Sequence, residues 1–173
     1  ISFAYSAKIL VSQNNYTARN PGRSLIAFAP VFTGIGVRLT PLPFSENEVK
    51  EISNSMNTTT LFLHDNATVD AFRRNTQNAP FIHVATHASA ADSDLPKIEF
   101  TDSALYLSDI YAMHLQARLV VLSGCETGVG ALEKSEGILS LARGFYYAGA
   151  QNVITSLWNV NDASTSSLFA SFY

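Results

Sequence analysis

The chain's single cysteine follows a short apolar run in the stretch Leu119-Val-Val-Leu-Ser-Gly-Cys125-Glu-Thr-Gly-Val-Gly130. The apolar residues predict a buried strand, and the small residues and glycines after it predict a connection. Open α/β sheets place their reactive groups at the carboxyl ends of such strands. We therefore consider Cys125 as a nucleophile, beside the simpler interpretation that it is a small, buried apolar residue.

The size and composition fit one domain that belongs to a longer protein. A chain of 173 residues is long enough for a substantial core. Charged residues make up only 14%, against a usual ~25%, so we expect a further segment to cover part of the surface. The chain starts at Ile1 and stops at Phe172-Tyr173 inside an amphipathic run. We interpret residues 1–173 as a single domain whose last helix is cut short.

Charge and cysteine content exclude several classes of partner. A net charge of −3 with scattered basic residues gives no footprint for nucleic acid. The sequence has neither a run of ~18 apolar residues nor a signal peptide, so we predict no membrane association. A single cysteine forbids an internal disulfide and fits a reducing compartment, so we predict a cytoplasmic location.

Apolar runs and helical periods alternate along most of the chain. We predict strands at 24–30, 60–63, 81–87, 97–100, 104–107, 119–122 and 152–158. Helices are expected at 3–13 (where a strand is the alternative), from Ser45, from Thr68, from Ser108 to Met113, over 135–149, and from Asp162 or Ser164. For the helix from Ser45, we expect Glu48 to complete a capping box. Thr68 and Ser108 are expected to cap the helices that they begin, and Gly149 to end the helix over 135–149. The alternation predicts an α/β fold, a three-layer sandwich with a mostly parallel central sheet and helices on both faces.

Three familiar site patterns are incomplete or absent. Residues 128–135 approach a phosphate loop, but Glu133 stands where a glycine must allow backbone amides to surround phosphate. His83 and His87 have the spacing of a zinc helix, but Val84 replaces the required glutamate and the segment is strand-like. No Gly-x-Ser-x-Gly elbow is present. We therefore predict no cofactor and no metal.

Thiol chemistry requires a histidine near the cysteine, and His87 is the best placed of the four histidines. It ends a predicted core strand, so it meets Cys125 if the two strands are neighbours in a parallel sheet. His83 points to the same side of its strand about 13 Å earlier, which predicts a core or supporting role. His64 and His114 are interpreted as surface residues.

Several motifs in order resemble the CHAT domain, a caspase-like family found after tetratricopeptide repeats and related to separase. These motifs are His-Val-Ala-Thr-His87, Leu-Ser-Gly-Cys125-Glu-Thr-Gly-Val-Gly, Glu136-Gly-Ile-Leu-Ser-Leu-Ala-Arg143-Gly-Phe, Ala148-Gly-Ala and Ser156-Leu-Trp158-Asn-Val-Asn-Asp162. The resemblance covers essentially the whole chain. It implies the caspase-haemoglobinase fold and cysteine endopeptidase chemistry.

The resemblance also implies roles for individual residues. His87 would be the general base and acid, Cys125 the attacking thiolate, and the backbone amides of Ala88 and Cys125 the oxyanion hole. Caspase-like enzymes usually have glycine where Ala88 stands. Asp162 matches an acidic residue that pairs with an arginine before the cleaved bond in separase, although it also fits a helix cap.

The neighbouring residues have simpler roles. Trp158 is a core aromatic residue or a wall of the specificity pocket. Glu126, Thr127 and Arg143 are interpreted as structural.

Two functions remain open at this point. The first is a cysteine endopeptidase that cleaves protein or peptide substrates after a basic residue, regulated by tetratricopeptide repeats in the same chain. The second is a catalytically silent CHAT-like interaction or scaffold domain, which Ala88 and the low surface charge favour.

Overall fold

Strands and helices alternate along the part of the chain described by the computed structural model, which comprises residues 24–32, 39–89, 95–123, 134–156 and 162–173, with the backbone alone for 134–140 and 162. The strands are β1 (Ser24–Ala29), β2 (Thr58–Leu63), β3 (Phe81–Ala85), β4 (Ala88–Ser89), β5 (Lys97–Glu99), β6 (Ala104–Tyr106), β7 (Leu119–Ser123) and β8 (Val153–Thr155). The helices are α1 (Ser45–Ser53), α2 (Val69–Asn75), α3 (Leu107–Tyr111), α4 (Lys134–Ala148) and α5 (Asp162–Phe172), with a 3₁₀ turn at His64–Asn66.

Five of the strands form one sheet in the order β2-β1-β3-β7-β8, and every neighbouring pair in it is parallel. The sequences of β1, β3 and β7 are almost continuously apolar, as expected of strands whose two faces are covered by helices, whereas the edge strand β2 begins with three threonines. The predicted α/β fold with three layers is therefore confirmed.

Each face of the sheet has its own apolar core. On one face, Val49 and Ile52 of α1 and Phe169 of α5 pack with Leu25, Ala27, Ala29, Ala85 and Val121. On the other face, Phe72 of α2, Ile110 of α3 and Phe145 of α4 pack with Phe28, Ile82, Val84, Val120 and Leu122. His83 shares the first face with α1 and α5, since Phe169 contacts its ring edge to face at 5.4 Å between centroids.

The predicted antiparallel hairpin is present as β5 and β6, with Ile98 opposite Leu105. A third strand that the sequence did not reveal, β4, pairs antiparallel with β5 and places Ala88 opposite Ile98. β4 has only two residues, too few for an alternating pattern to be recognised. Because β4 begins directly after His87, its pairing with β5 fixes the backbone that follows β3.

Two of the predicted helix caps are wrong. Ser45 is the first residue of α1, and its hydroxyl donates to Leu42 O at 2.9 Å, while Glu48 is buried inside the molecule and does not complete a capping box. At α3, Asp109 accepts a hydrogen bond from Tyr106 N at 3.0 Å, and Ser108 lies inside the helix.

Two further predicted caps, at Thr68 and Gly149, are present. Thr68 caps α2 by accepting from Ala71 N at 3.0 Å. Gly149 ends α4 with a φ of 114°, a conformation that favours glycine. The predicted element at 3–13 lies outside the described residues, as does the end of the predicted strand 152–158 beyond Ser156.

Candidate active site

The order of the strands reverses between β1 and β3. The chain moves from β1 to β2 on one side and then returns to place β3 on the other side of β1. Ligand sites of open α/β sheets lie at such a reversal of strand order. The residues that follow these two strands meet there, since the rings of Phe32 and His87 lie 5.2 Å apart.

His87 is buried at this edge, with 2% of its surface exposed. Its Nε2 lies 2.7 Å from the main-chain oxygen of Thr40. A carbonyl oxygen only accepts hydrogen bonds, so Nε2 carries the proton and donates it to Thr40. In the neutral imidazole, Nδ1 is then the nitrogen that has a lone pair for an incoming proton.

The neighbouring strand β7 leads toward Cys125. Ala85 pairs with Ser123, and Thr86 N donates to Ser123 O at 3.0 Å, so the two strands stay in register to their ends. His87 and Cys125 each follow two residues after this last pair, on strands that are direct neighbours. Cys125 itself lies outside the described residues.

The amide of Ala88 points away from the small sheet. Glu99 N donates to His87 O at 2.9 Å, which makes His87 and Glu99 a hydrogen-bonded pair of the β4–β5 ladder. Pairs in an antiparallel ladder alternate, so Ala88 and Ile98 form a pair that does not exchange hydrogen bonds. The Ala88 N–H therefore faces the side opposite β5.

The structure describes some of the other predicted residues and leaves out the side chains of two. Asp162 is the first residue of α5, and its side chain lies outside the described residues, as does Trp158. His64, His114 and Arg143 are exposed, as expected of surface residues. Among the described residues, no group of three or more His, Cys, Asp or Glu side chains is arranged to hold a metal ion.

His83 is a core residue, as predicted, and it has two polar neighbours that the sequence did not indicate. Its Nε2 lies 2.6 Å from Glu48 Oε1, with both side chains buried, and its Nδ1 lies 3.2 Å from the hydroxyl of Tyr173. Burial raises the pKa of Tyr173 well above its ordinary value, and the nearby carboxylate of Glu48 adds to the effect. Glu48 had a plausible surface role at the helix start, so nothing in the sequence pointed to the interior.

The Thr40 contact was also missed. It uses a main-chain oxygen, which every residue has, so no side-chain pattern could have indicated it. Thr40 precedes β3 by about forty residues and lies in a connection, where the sequence offers no period to follow.

Taken together, the parallel sheet, the helices on both faces and the histidine at the reversal of strand order define a three-layer α/β domain with a polar carboxyl edge. The model of the CHAT domain matches residues 1–173, and the chain belongs to this family, which is related to the caspase-like cysteine peptidases. The resemblance inferred from the motifs is thereby confirmed.

Curated relatives are proteins with tetratricopeptide repeats. The chain is 33% identical over 81 residues to tetratricopeptide repeat protein 28 of Mus musculus and 32% identical over 81 residues to that of Homo sapiens. These matches cover 47% of this chain and 3% of each relative. The chain therefore corresponds to a small part of these relatives.

A solved structure of a flavodoxin, from Streptococcus pneumonia TIGR4, is similar with a TM-score of 0.48 and 17% identity. The match covers 86% of this chain and 94% of the flavodoxin. In the described part of the chain, no helix has the length and apolar character needed to cross a bilayer.

Proposed function

We propose that this domain is a cysteine endopeptidase that cleaves protein or peptide substrates with a His87/Cys125 dyad. The observation that carries the proposal is the position of His87. It is buried at the carboxyl end of β3, its Nε2 proton is held by Thr40 O, and the neighbouring strand leads to Cys125. A histidine held in this tautomer is prepared to accept a proton at Nδ1.

The proposed reaction has two stages, acylation of Cys125 and hydrolysis of the thioester. Nδ1 of His87 takes the proton of the Cys125 thiol, and the thiolate attacks the carbonyl carbon of the scissile peptide bond. The new S–C bond gives an oxyanion, which the amides of Ala88 and Cys125 stabilise. His87 then returns its proton to the leaving amine, and water hydrolyses the thioester to release the acid and restore the thiol.

The preference for a basic residue before the cleaved bond rests on Asp162. A carboxylate at the start of α5 would form bidentate, charge-assisted hydrogen bonds with an arginine side chain. Trp158 would form a wall of the same pocket. An arginyl substrate is therefore expected to be cleaved faster than its lysyl counterpart, because an ammonium group cannot make the paired contact.

The proposal is tested with short fluorogenic peptides that end in arginine or lysine. We expect Cys125→Ala and His87→Asn each to lower the cleavage rate by a factor of about 10² or more. His114→Asn, which changes an exposed histidine, serves as the matched control and is expected to cleave like the wild type. Equal rates for the wild type and Cys125→Ala would contradict the proposal.

The relatives support a second candidate function. Because these relatives carry tetratricopeptide repeats, the domain could act with such repeats as an interaction or scaffold domain without turnover. This candidate predicts that Cys125 does not react with a peptide warhead and that Cys125→Ala keeps the cellular function. In either case, we propose that repeats in the same protein regulate the domain.

A further inference from the structure

Glu48 and His83, both buried, form with the partly buried Tyr173 a chain of hydrogen bonds that the proposed reaction does not use. It joins three elements, since Glu48 lies in α1, His83 in β3 and Tyr173 directly after α5. The two hydrogen bonds measure 2.6 Å from His83 Nε2 to Glu48 Oε1 and 3.2 Å from His83 Nδ1 to the Tyr173 hydroxyl.

The hydrogen bonds among these three side chains all donate toward Glu48. The phenol of Tyr173 keeps its proton because burial and the negative Glu48 raise its pKa. The hydroxyl can then donate to Nδ1 of His83, and Nε2 donates to the Glu48 carboxylate. Both nitrogens of the buried ring are satisfied, which offsets the cost of placing polar groups in the core.

The apolar contact of the described part of α5 with the rest of the molecule is concentrated at its carboxyl-terminal half, where Phe169 belongs to the core that it shares with α1 and the sheet. Of its described side chains, Thr165, Ser166 and Phe169 are buried, whereas Leu168 and Phe172 are 64% and 52% exposed. Phe169 is therefore the one large apolar side chain that the described part of α5 buries. With one large buried apolar side chain, α5 gains a further share of its fixation from polar contacts at the same end.

The dimensions connect this anchor with the candidate active site. β3 rises about 13 Å from His83 to His87, and the eleven residues of α5 span about 16 Å. The carboxyl end of α5 lies at His83, where Tyr173 makes its hydrogen bond. A helix that follows a parallel strand is expected to run back antiparallel to it, and a helix of this length in that direction begins near the level of His87.

We propose that Glu48, His83 and Tyr173 act as a clamp that fixes α5 on the sheet and thereby positions Asp162 for the basic residue of the substrate. This inference rests on the proposed function, which supplies the role of Asp162. The three clamp residues are positioning residues, since they act through the helix.

The test compares Tyr173→Phe and Glu48→Gln with the control Tyr147→Phe, whose ring is 63% exposed. Hydrogen exchange in α5 is expected to become about fivefold faster or more in the two clamp variants, because each loses or weakens one hydrogen bond of the clamp. Exchange in β1 and β3 and the rate of Cys125 alkylation are expected to stay at the wild-type level. For the arginyl peptide, KM should rise about three- to tenfold with little change in kcat.

Two results would overturn the inference. One is exchange in α5 that is unchanged, or that accelerates equally in the sheet, which would show general destabilisation. The other is faster exchange in α5 with an unchanged KM, which would show that the clamp positions nothing. If Cys125→Ala cleaves like the wild type, the proposed function fails and the role of Asp162 fails with it, while the exchange data still decide whether the clamp holds α5.

Discussion

At the scale of single residues, two buried histidines of one strand have different tasks because they have different partners. His83 lies in mid-strand against Glu48 and Tyr173, and His87 lies past the strand end against a main-chain oxygen. The first arrangement connects elements, and the second fixes which nitrogen of the ring carries the proton.

Thr40→Ala should leave peptide cleavage within about twofold of the wild type, because His87 donates to the main-chain oxygen and not to the Thr40 hydroxyl. The threonine side chain is exposed, so its loss should not disturb packing. The measurement is kcat/KM for the arginyl peptide. A loss as large as that of His87→Asn would show that the threonine side chain takes part in the reaction.

Tyr173→Phe should change how stability depends on alkaline pH. An unfolded tyrosine ionises near its ordinary pKa of 10.0, whereas burial raises the pKa of Tyr173 in the folded protein. Above pH ~10 the unfolded chain loses a proton that the folded chain keeps, so the free energy of unfolding falls as the pH rises, by up to about 1.4 kcal/mol per pH unit. Below that pH the contribution of this group is fully present.

Urea unfolding between about pH 9 and 11 measures this slope. In Tyr173→Phe, we expect the free energy of unfolding to fall less steeply with pH, by up to about 1.4 kcal/mol per pH unit. The slope of Tyr147→Phe is expected to match that of the wild type. Identical slopes for the wild type and Tyr173→Phe would show that the phenol ionises normally in the folded protein.

At the scale of elements, the end of α4 shows how a single backbone conformation fixes a junction. Gly149 adopts a φ of 114°, and a Cβ atom there would lie 2.2 Å from Leu115 O. The same connection is held by Leu115 N, which donates to Ala148 O at 2.6 Å. The helix end and the segment before β7 therefore touch through their backbones.

Gly149→Ala should lower the free energy of unfolding by about 2–4 kcal/mol, from backbone strain and the clash with a carbonyl that cannot rotate away. Gly144→Ala is the matched control inside the same helix. Its nearest neighbour is the end of the Leu107 side chain, which can move, and alanine favours the helix by about 1 kcal/mol. A loss at position 149 no larger than at 144 would contradict this account of the helix end.

Helices and strands could be predicted from the sequence where buried apolar residues form a run or a regular period, or where a cap residue marks an end. The strands β1, β3 and β7 show as apolar runs, and Thr68 and Gly149 mark a helix start and a helix end. The local patterns failed where a side chain had a distant partner. Glu48 at the start of α1 satisfied a capping rule, but its carboxylate is bound by His83, thirty-five positions further along.

At the scale of the whole molecule, the order of the strands brings the candidate site together. β1 lies between β2 and β3, so the residues that follow β1 and β3 meet at one edge of the sheet, where the rings of Phe32 and His87 are in contact. The sequence predicted a parallel sheet and the pairing of His87 with Cys125, but not which strands are neighbours. Strand order depends on long-range packing, which has no local period in the sequence.

The chain belongs to the CHAT domain family, which is related to the caspase-like cysteine peptidases. The central claim is that His87 activates Cys125. Cys125 is the only cysteine of the chain, so alkylation by iodoacetamide reports on this thiol alone.

The most direct measurement is the rate of this alkylation near pH ~6.5, where a thiol without an activating partner is almost entirely protonated. We predict that His87→Asn slows the reaction about tenfold or more, while His114→Asn reacts like the wild type. Equal rates in the wild type and His87→Asn would show that the histidine does not activate the thiol, and would contradict the account.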